Sequence, residues 1–291
     1  MQRVSKKVAP FAYLSPTLLL MAVLSLLPIG MVLSYSLMDN VIMNKNPVFV
    51  GINNYIELLT DDVFQQAIGN TLYFTAMSVI FHLILGLSFA MLLNTSLLGA
   101  TTKAIFRVVY VLPWVFTATI IAILWRLMLN PNGVINYLII SAGFADRPIE
   151  WLSSNWRCTR SRSSTFGRIP LLHGEPAGEP SRAFPMNSTK PAPSTGPTDA
   201  NSSASSPCHQ LKPIIVSLAM LDFIWTMHQF TLIWMTTGGG PIHVTEMLST
   251  FTYKAAFSSY EFALASASAF IILALALPVV ALFYVRQQRQ R

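Results

Sequence analysis

The sequence predicts an all-α, polytopic transmembrane helix bundle. Three observations carry that expectation. Of 291 residues, 53% are hydrophobic and only 11% are charged, against about 25% charged in an ordinary soluble domain. Several uncharged runs are long enough to cross a bilayer, whose core takes roughly 20 apolar residues in helix. Outside residues 157–210, the basic residues cluster at the two ends and in one short loop, the distribution that marks cytoplasmic segments.

Taken in order, residues 10–37 carry no charge and form the first expected span. Arg3, Lys6 and Lys7 precede it, as they would in a cleaved signal. The run is longer than the usual apolar core of a signal, about 7–15 residues, and no small-x-small cleavage site follows. It therefore reads as an uncleaved span. Residues 71–97 form the second, with His82 as the lone titratable group. Residues 108–125 form the third, ending at Arg126. Residues 213–241 form the penultimate span, interrupted by Asp222 and His228, and residues 262–285 the last.

Charge bias sets the orientation. The N-terminus holds Arg3, Lys6 and Lys7, the tail holds Arg286, Arg289 and Arg291, and the loop after the second span holds Lys103 and Arg107. The loop after the first span, with Asp39, Lys45, Glu57, Asp61 and Asp62, is poor in such charges. Both termini are thus expected in the cytoplasm, which requires an even number of crossings. Five are readable. A sixth must lie between Trp125 and Lys212, yet residues 157–210 hold ten Ser, eight Pro and six Lys/Arg. Arginine at mid-bilayer costs about 2.5–3.5 kcal/mol on insertion scales, and proline roughly 3 kcal/mol in a helix interior. That stretch cannot span, and its composition is that of a disordered polar segment.

The net charge of +7 fits cytoplasmic loops and gives no ground for nucleic-acid binding. Cys158 and Cys208 lack metal-ligand spacing and imply no disulfide framework. No metal, cofactor or catalytic constellation is expected. There is no G-x-x-x-x-G-K-[ST] loop to cradle ATP phosphates, and no H-E-x-x-H or G-x-S-x-G.

Four stretches carry a resemblance: YLSPTLLLMAVLSLLPIGMVLSYSL, FVGINNYIELLTDDVFQQAIGNTLYFT, VVYVLPWVFTATIIAILWRLMLNPNGVINYLI and MTTGGGPIHVTEMLSTFTYKAAF. In order and spacing they resemble the permease subunits of binding-protein-dependent sugar ABC importers, the maltose and glycerol-phosphate type. The resemblance implies a single transmembrane permease domain over 1–291 with a six-span core. It implies a second permease subunit, a dimer of ATP-binding subunits, a periplasmic solute-binding protein and a bacterial inner membrane as partners and setting. It also implies a cytoplasmic loop between the fourth and fifth spans, of pattern E-A-A-x-x-D-G-A, that docks on the ATPase. Residues 157–210 depart from the family at the fourth span and at this loop.

The expected reading of that departure is a change of reading frame. When codons are read from the third base of each, residues 183–207 permit IPNEFYEAGALDGANGRKFFGFITL. Met186 followed by Asn187 fixes the Glu codon. The same shift over 156–167 permits ALHALAVVNIW, and the other shift over 173–180 permits MVNLLAS. Together these would rebuild the missing span and the loop. Degenerate codons fit many strings, so the DNA sequence of this window decides.

Candidate functional residues cluster in the penultimate span. Asp222, Trp225 and Gln229 fall near one helical face, with His228 beside them. Ionisable groups inside a membrane usually face a bundle interior or a wet path, and sugars are held by planar polar groups and aromatic stacking. A substrate-path role and interhelical packing both stay open for this set. His82 reads as a bundle residue. Gly238, Gly239, Gly240 and Pro241 form a breaker, which the resemblance places at a periplasmic mouth and which an ordinary turn also explains. Trp114, Trp125 and Trp234 suit an interfacial belt. A secondary transporter, a membrane enzyme and a non-functional frame-shifted permease are the competing functions. The first would need internal repeats or broken half-helices, and no convincing repeat is present; the second would need catalytic groups.

Overall fold

In the computed structural model the described residues are 9–39, 41–43, 46–94, 98–111, 115–152 and 207–288. Among them the secondary structure is helical apart from one isolated bridge between Met38 and Phe49. The helices are α1 (Ala9–Ser36), α2 (Asn53–Thr60), α3 (Asp62–Asn94), α4 (Ala100–Val111), α5 (Ala118–Met128), α6 (Val134–Ser141), α7 (Pro207–Met227), α8 (Thr231–Thr236), α9 (Leu248–Phe257) and α10 (Phe262–Gln288). Residues 157–206, the bulk of the suspected frame-shifted window, lie outside the described residues, as does Trp114.

Three helices are long and apolar enough to cross a membrane, namely α1, α3 and α10. They correspond to the first, second and last expected spans. The third and penultimate spans differ from expectation, because neither is one continuous helix. Residues 108–125 divide between α4, which ends at Val111, and α5, which begins at Ala118. Pro113 lies between them, and proline lacks the N–H that a continuing helix uses. Thr117 opens α5 by accepting the Ile120 N–H on its hydroxyl. Residues 213–241 divide between α7 and the short α8, with a break at His228–Phe230. Helix α7 also starts early, at Pro207, where a proline loses nothing because the first-turn N–H groups are orphaned anyway.

The chain divides into two compact units, one of Met1–Gln65 with Phe251–Ala274, the other of Gln66–Thr250 with Leu275–Arg291. In the first, α1 carries Pro16 and Pro28 without interruption, and most of its described side chains are exposed. Past its end the chain doubles back. The Asp39 N–H donates to Val48 O at 2.8 Å and the Val50 N–H to Leu37 O at 2.9 Å. Asn54 of α2 donates to Ser36 O and Met38 O, both at 2.9 Å, and the Tyr55 and Ser36 hydroxyls are 2.7 Å apart. The buried Asn54 thereby pins α2 beneath this turn. Asp61 ends α2 and starts α3, its Oδ1 accepting the Phe64 N–H at 2.8 Å, which is the ordinary job of an N-cap aspartate. Fully buried Phe64 meets Phe251 edge-on at 5.0 Å. On α10 the run FALASASA buries Ala263, Ala265, Ser266, Ala267 and Ser268. Small residues of this kind allow close helix approach in lipid, and Ser268 meets the Thr252 hydroxyl at 2.6 Å.

The second unit holds the residues from which a site can be built. Its apolar contact centre joins Phe74 of α3, Ile233 of α8 and Met247. Along α3, Asn70, Thr71, Thr75 and Ser78 are all buried, a polar stripe at helical spacing inside an otherwise apolar helix. Helix α5 packs on α8.

Candidate functional site

The stripe on α3 ends at His82, and there it meets α7. The His82 Nδ1–H lies 3.1 Å and 3.2 Å from the two carboxylate oxygens of Asp222. Thr226, one turn on, donates to the same carboxylate at 3.4 Å. Both side chains of the pair are largely buried. An unpaired carboxylate at such a site would be expensive; the imidazole and hydroxyl provide its partners. Of the other expected site residues, Trp225 is exposed. His228 is exposed and its Nδ1–H donates back to Ile224 O at 2.9 Å. Gln229 has left the helix: its N–H donates to Thr226 O at 3.1 Å, and its carbonyl accepts the Ser249 hydroxyl at 2.8 Å. The expected common face of 222, 225 and 229 therefore fails at its last member, because α7 stops at Met227.

No glycine or proline marks that break. It is held by substitutes for the lost ladder bonds, the Ser249 hydroxyl on one carbonyl and the Gln229 N–H on another. Phe230 stacks on Trp234 at 5.5 Å across the restart. Backbone that leaves the helix at membrane depth is tolerated where it is buried in protein or lines a cavity.

The glycine loop follows α8. The Thr237 and Gly238 N–H groups both close on Ile233 O, at 3.0 Å and 2.9 Å. Gly238 and Gly239 have φ of 60° and 85°, and the Gly240–Pro241 peptide is cis. Below the loop lies Glu246, whose side chain is fully buried. Its Oε1 accepts the Thr250 hydroxyl at 2.8 Å, and its Oε2 lies 3.2 Å from the His243 Nδ1. A Cβ on Gly239 would collide with this carboxylate. From α3, Gln66 donates to His243 O at 3.1 Å, and Asn70 donates to Val244 O at 3.0 Å and Glu246 O at 2.7 Å. Thr71 accepts the Leu248 N–H at 2.9 Å. The glycines expected from the sequence are thus the visible half of a device whose other half, Glu246 with Asn70 and Thr71, the sequence reading missed. The available signal was a glutamate set between Thr245 and the apolar pair Met247–Leu248, where an exposed acid has no reason to be.

A second polar centre lies in the turn and helix after α5. Asn136 of α6 is 1% exposed. Its amide nitrogen donates to Ile149 O at 2.8 Å, Pro131 O at 3.1 Å and Asn130 O at 3.2 Å. Its oxygen accepts the Ile149 N–H at 3.1 Å and the Trp151 indole N–H at 3.0 Å. One side chain therefore fastens residues 130–131 to residues 149–151. Gly133 is required in the same turn, because a Cβ there would stand 2.5 Å from the carbonyl oxygens of Leu127 and Met128. Between this structure and the end of α8 opens a cavity of about 520 Å³.

These features define a class: a polytopic helical membrane protein with buried polar side chains along α3, in the turn and helix after α5 and in the loop after α8. Comparison with known proteins narrows it. No protein-family model matches the chain. It is 27% identical over 276 residues to a probable ABC transporter permease of Sinorhizobium fredii, covering 89% of this chain and 86% of that one. It is 28% identical over 252 residues to the trehalose/maltose transport system permease of Thermococcus litoralis, covering 82% and 80%. Its fold matches, with a TM-score of 0.70, 18% identity and coverage of 99% and 98%, a chain from the crystal structure of a bacterial alginate ABC transporter in complex with an alginate pentasaccharide-bound periplasmic protein. The chain is similar in sequence to ABC transporter permeases along most of its length, and it shares the fold of the alginate transporter chain.

Proposed function

We propose that this chain is one permease subunit of an ABC importer that carries a sugar or sugar-like solute across a bacterial inner membrane. Separate ATP-binding subunits drive it, a second permease supplies the other half of the path, and a periplasmic solute-binding protein delivers the solute. With the missing crossing in residues 157–210 restored, both termini lie in the cytoplasm. The observation that carries this reading is collinearity: the relationship to a trehalose/maltose permease runs through 82% of the chain, not through one motif.

Within this reading Trp225, His228 and Gln229 contribute to the solute path, and Gly238–Pro241 shapes the external mouth. For Asp222 a specific observation favours the second role, interhelical fastening, because His82 and Thr226 already occupy its carboxylate. Residues 157–210 belong to the same proposal as a frame-shifted fourth span and ATPase-docking loop. Resequencing the gene across that window tests the frame shift, which fails if neither alternative frame encodes an acidic-Ala…Asp-Gly loop. The function is tested by reconstituting the chain, with the window restored, alongside the second permease, ATPase and binding protein encoded next to it. Sugar-dependent ATP hydrolysis and uptake are the expected result. Uptake that runs on an ion gradient without the ATPase would instead mean a secondary transporter.

A further inference from the structure

We propose that the cavity between residues 126–131, residues 150–152 and the end of α8 is a binding subsite for a neutral saccharide at the external mouth of the path. The proposal rests on the permease reading, which puts the α5–α6 turn and the glycine loop outside.

The lining has the chemistry a sugar ring needs. Its walls include Arg126, Asn130, Glu150, Trp151, Thr236 and Thr237, which combine a flat aromatic face with several donors and acceptors. Among the described residues, the Arg126 and Glu150 side chains form no ion pair or hydrogen bond with each other or with anything else, so a guanidinium fork and a carboxylate remain available to vicinal hydroxyls. The Thr236 hydroxyl donates to Leu232 O at 2.7 Å, which leaves its lone pairs to accept from a ligand. The volume of about 520 Å³ falls inside the range of roughly 300–1,000 Å³ typical of small-molecule sites.

The aromatic wall is also fixed in advance. The Trp151 indole N–H is held by Asn136, and the same amide holds Asn130 O and Pro131 O on the neighbouring stretch of lining. An anchor whose position is already determined binds with less ordering cost. Asn136 is thereby a positioning residue for Trp151, although it is too buried to touch a ligand. Charge decides between saccharide classes. The cavity sets one cation against one carboxylate, and the carbonyl end of α5 adds partial negative charge beside them. Hydroxyl donors are welcome there, whereas an acidic sugar would meet Glu150 and helix carbonyls.

The test uses the chain with its fourth span and loop restored, in phospholipid nanodiscs, with a diazirine-bearing maltotriose as probe and mass-spectrometric mapping of labelled peptides. Label is expected on peptides covering 126–131 and 150–152. Excess maltotriose should displace it and an equal concentration of a galacturonate trimer should not. Trp151→Ala should cut the displaceable label about tenfold, the usual scale for an aromatic anchor, and Trp151→Phe should retain most of it. Arg126→Ala, at an exposed unpaired side chain, should lower the label severalfold without moving the thermal midpoint. Asn136→Ala should weaken labelling while Trp151 is intact. Equal labelling in Trp151→Ala and Arg126→Ala overturns the proposal, as does equal displacement by the acidic trimer. Displaceable label found only along 222–229 removes the cavity subsite and leaves the sugar-permease reading standing. No displaceable label anywhere removes both.

Discussion

Gly239 carries the sharpest residue-scale consequence. Its φ of 85° is in the region that L side chains avoid, and its missing Cβ makes room for the Glu246 carboxylate. Gly238 shares the backbone demand, at φ 60°, but a Cβ there would only meet Trp234 O at 3.7 Å. Gly238→Ala should therefore cost about 1–2 kcal/mol, the left-handed penalty alone. Gly239→Ala should cost more, because the added carbon also displaces the buried Glu246 carboxyl from its hydrogen bonds. Thermal unfolding of both variants in detergent checks this, and equal midpoints would refute the steric part. The same scale explains what the sequence showed and what it hid. A run of three glycines before proline is legible as a breaker. That Glu246 fills the space they leave depends on a turn closing between them, which no local pattern encodes. His82 and Asp222 were each visible as intramembrane polar residues, but 140 positions separate them in sequence, and only helix packing makes them a pair. A double-mutant cycle with His82→Ala and Asp222→Ala should yield a coupling of about 0.6–1.7 kcal/mol, as found for hydrogen bonds inside membranes. Additive losses would mean the pair contributes only through separate contacts.

At the scale of elements, length and apolarity located α1, α10 and the end of α3 to within about three residues, whereas α3 begins at Asp62, ahead of its uncharged run. They failed where a helix breaks inside the run. Hydropathy does not register the interval between α4 and α5, because its residues are as apolar as the helices on either side. The break after Met227 is equally silent, since its cause is tertiary: Ser249 takes a carbonyl that an unbroken helix would have used. Helix α9 starts under the same kind of control. Its first residue, Leu248, donates its N–H to Thr71 of α3 at 2.9 Å. Thr71→Val keeps the shape of that side chain and removes the acceptor. It should lower stability by about 1 kcal/mol, and Thr71→Ser should restore most of the loss. The readout is the thermal midpoint of the detergent-solubilised chain. A valine variant as stable as the serine variant would show that the hydroxyl is not what seats the start of α9 on α3.

For the whole molecule the governing quantity is the parity of membrane crossings. Basic residues at both ends favour an even number, and the sequence has five readable spans with a polar, proline-rich stretch where the proposed permease reading needs a sixth. The two requirements conflict, so the sequence as it stands cannot place both ends in the cytoplasm with every apolar run inserted. Insertion energetics decide how the conflict resolves. Leaving an apolar run of this length out of the bilayer forfeits far more than moving three tail arginines across, because juxtamembrane charges act as a bias of about 1 kcal/mol each. The tail should therefore end up outside. Alkaline phosphatase fused after Arg291 should be active, and a fluorescent protein at the same place dark. With residues 157–210 replaced by the span and loop that the shifted frames encode, both signals should reverse. The restored chain, but not the original, should then retain the ATPase in a pull-down. A tail that is cytoplasmic in both chains would show that the polar stretch does not remove a crossing. An ATPase that binds the original chain would show that its docking surface lies elsewhere.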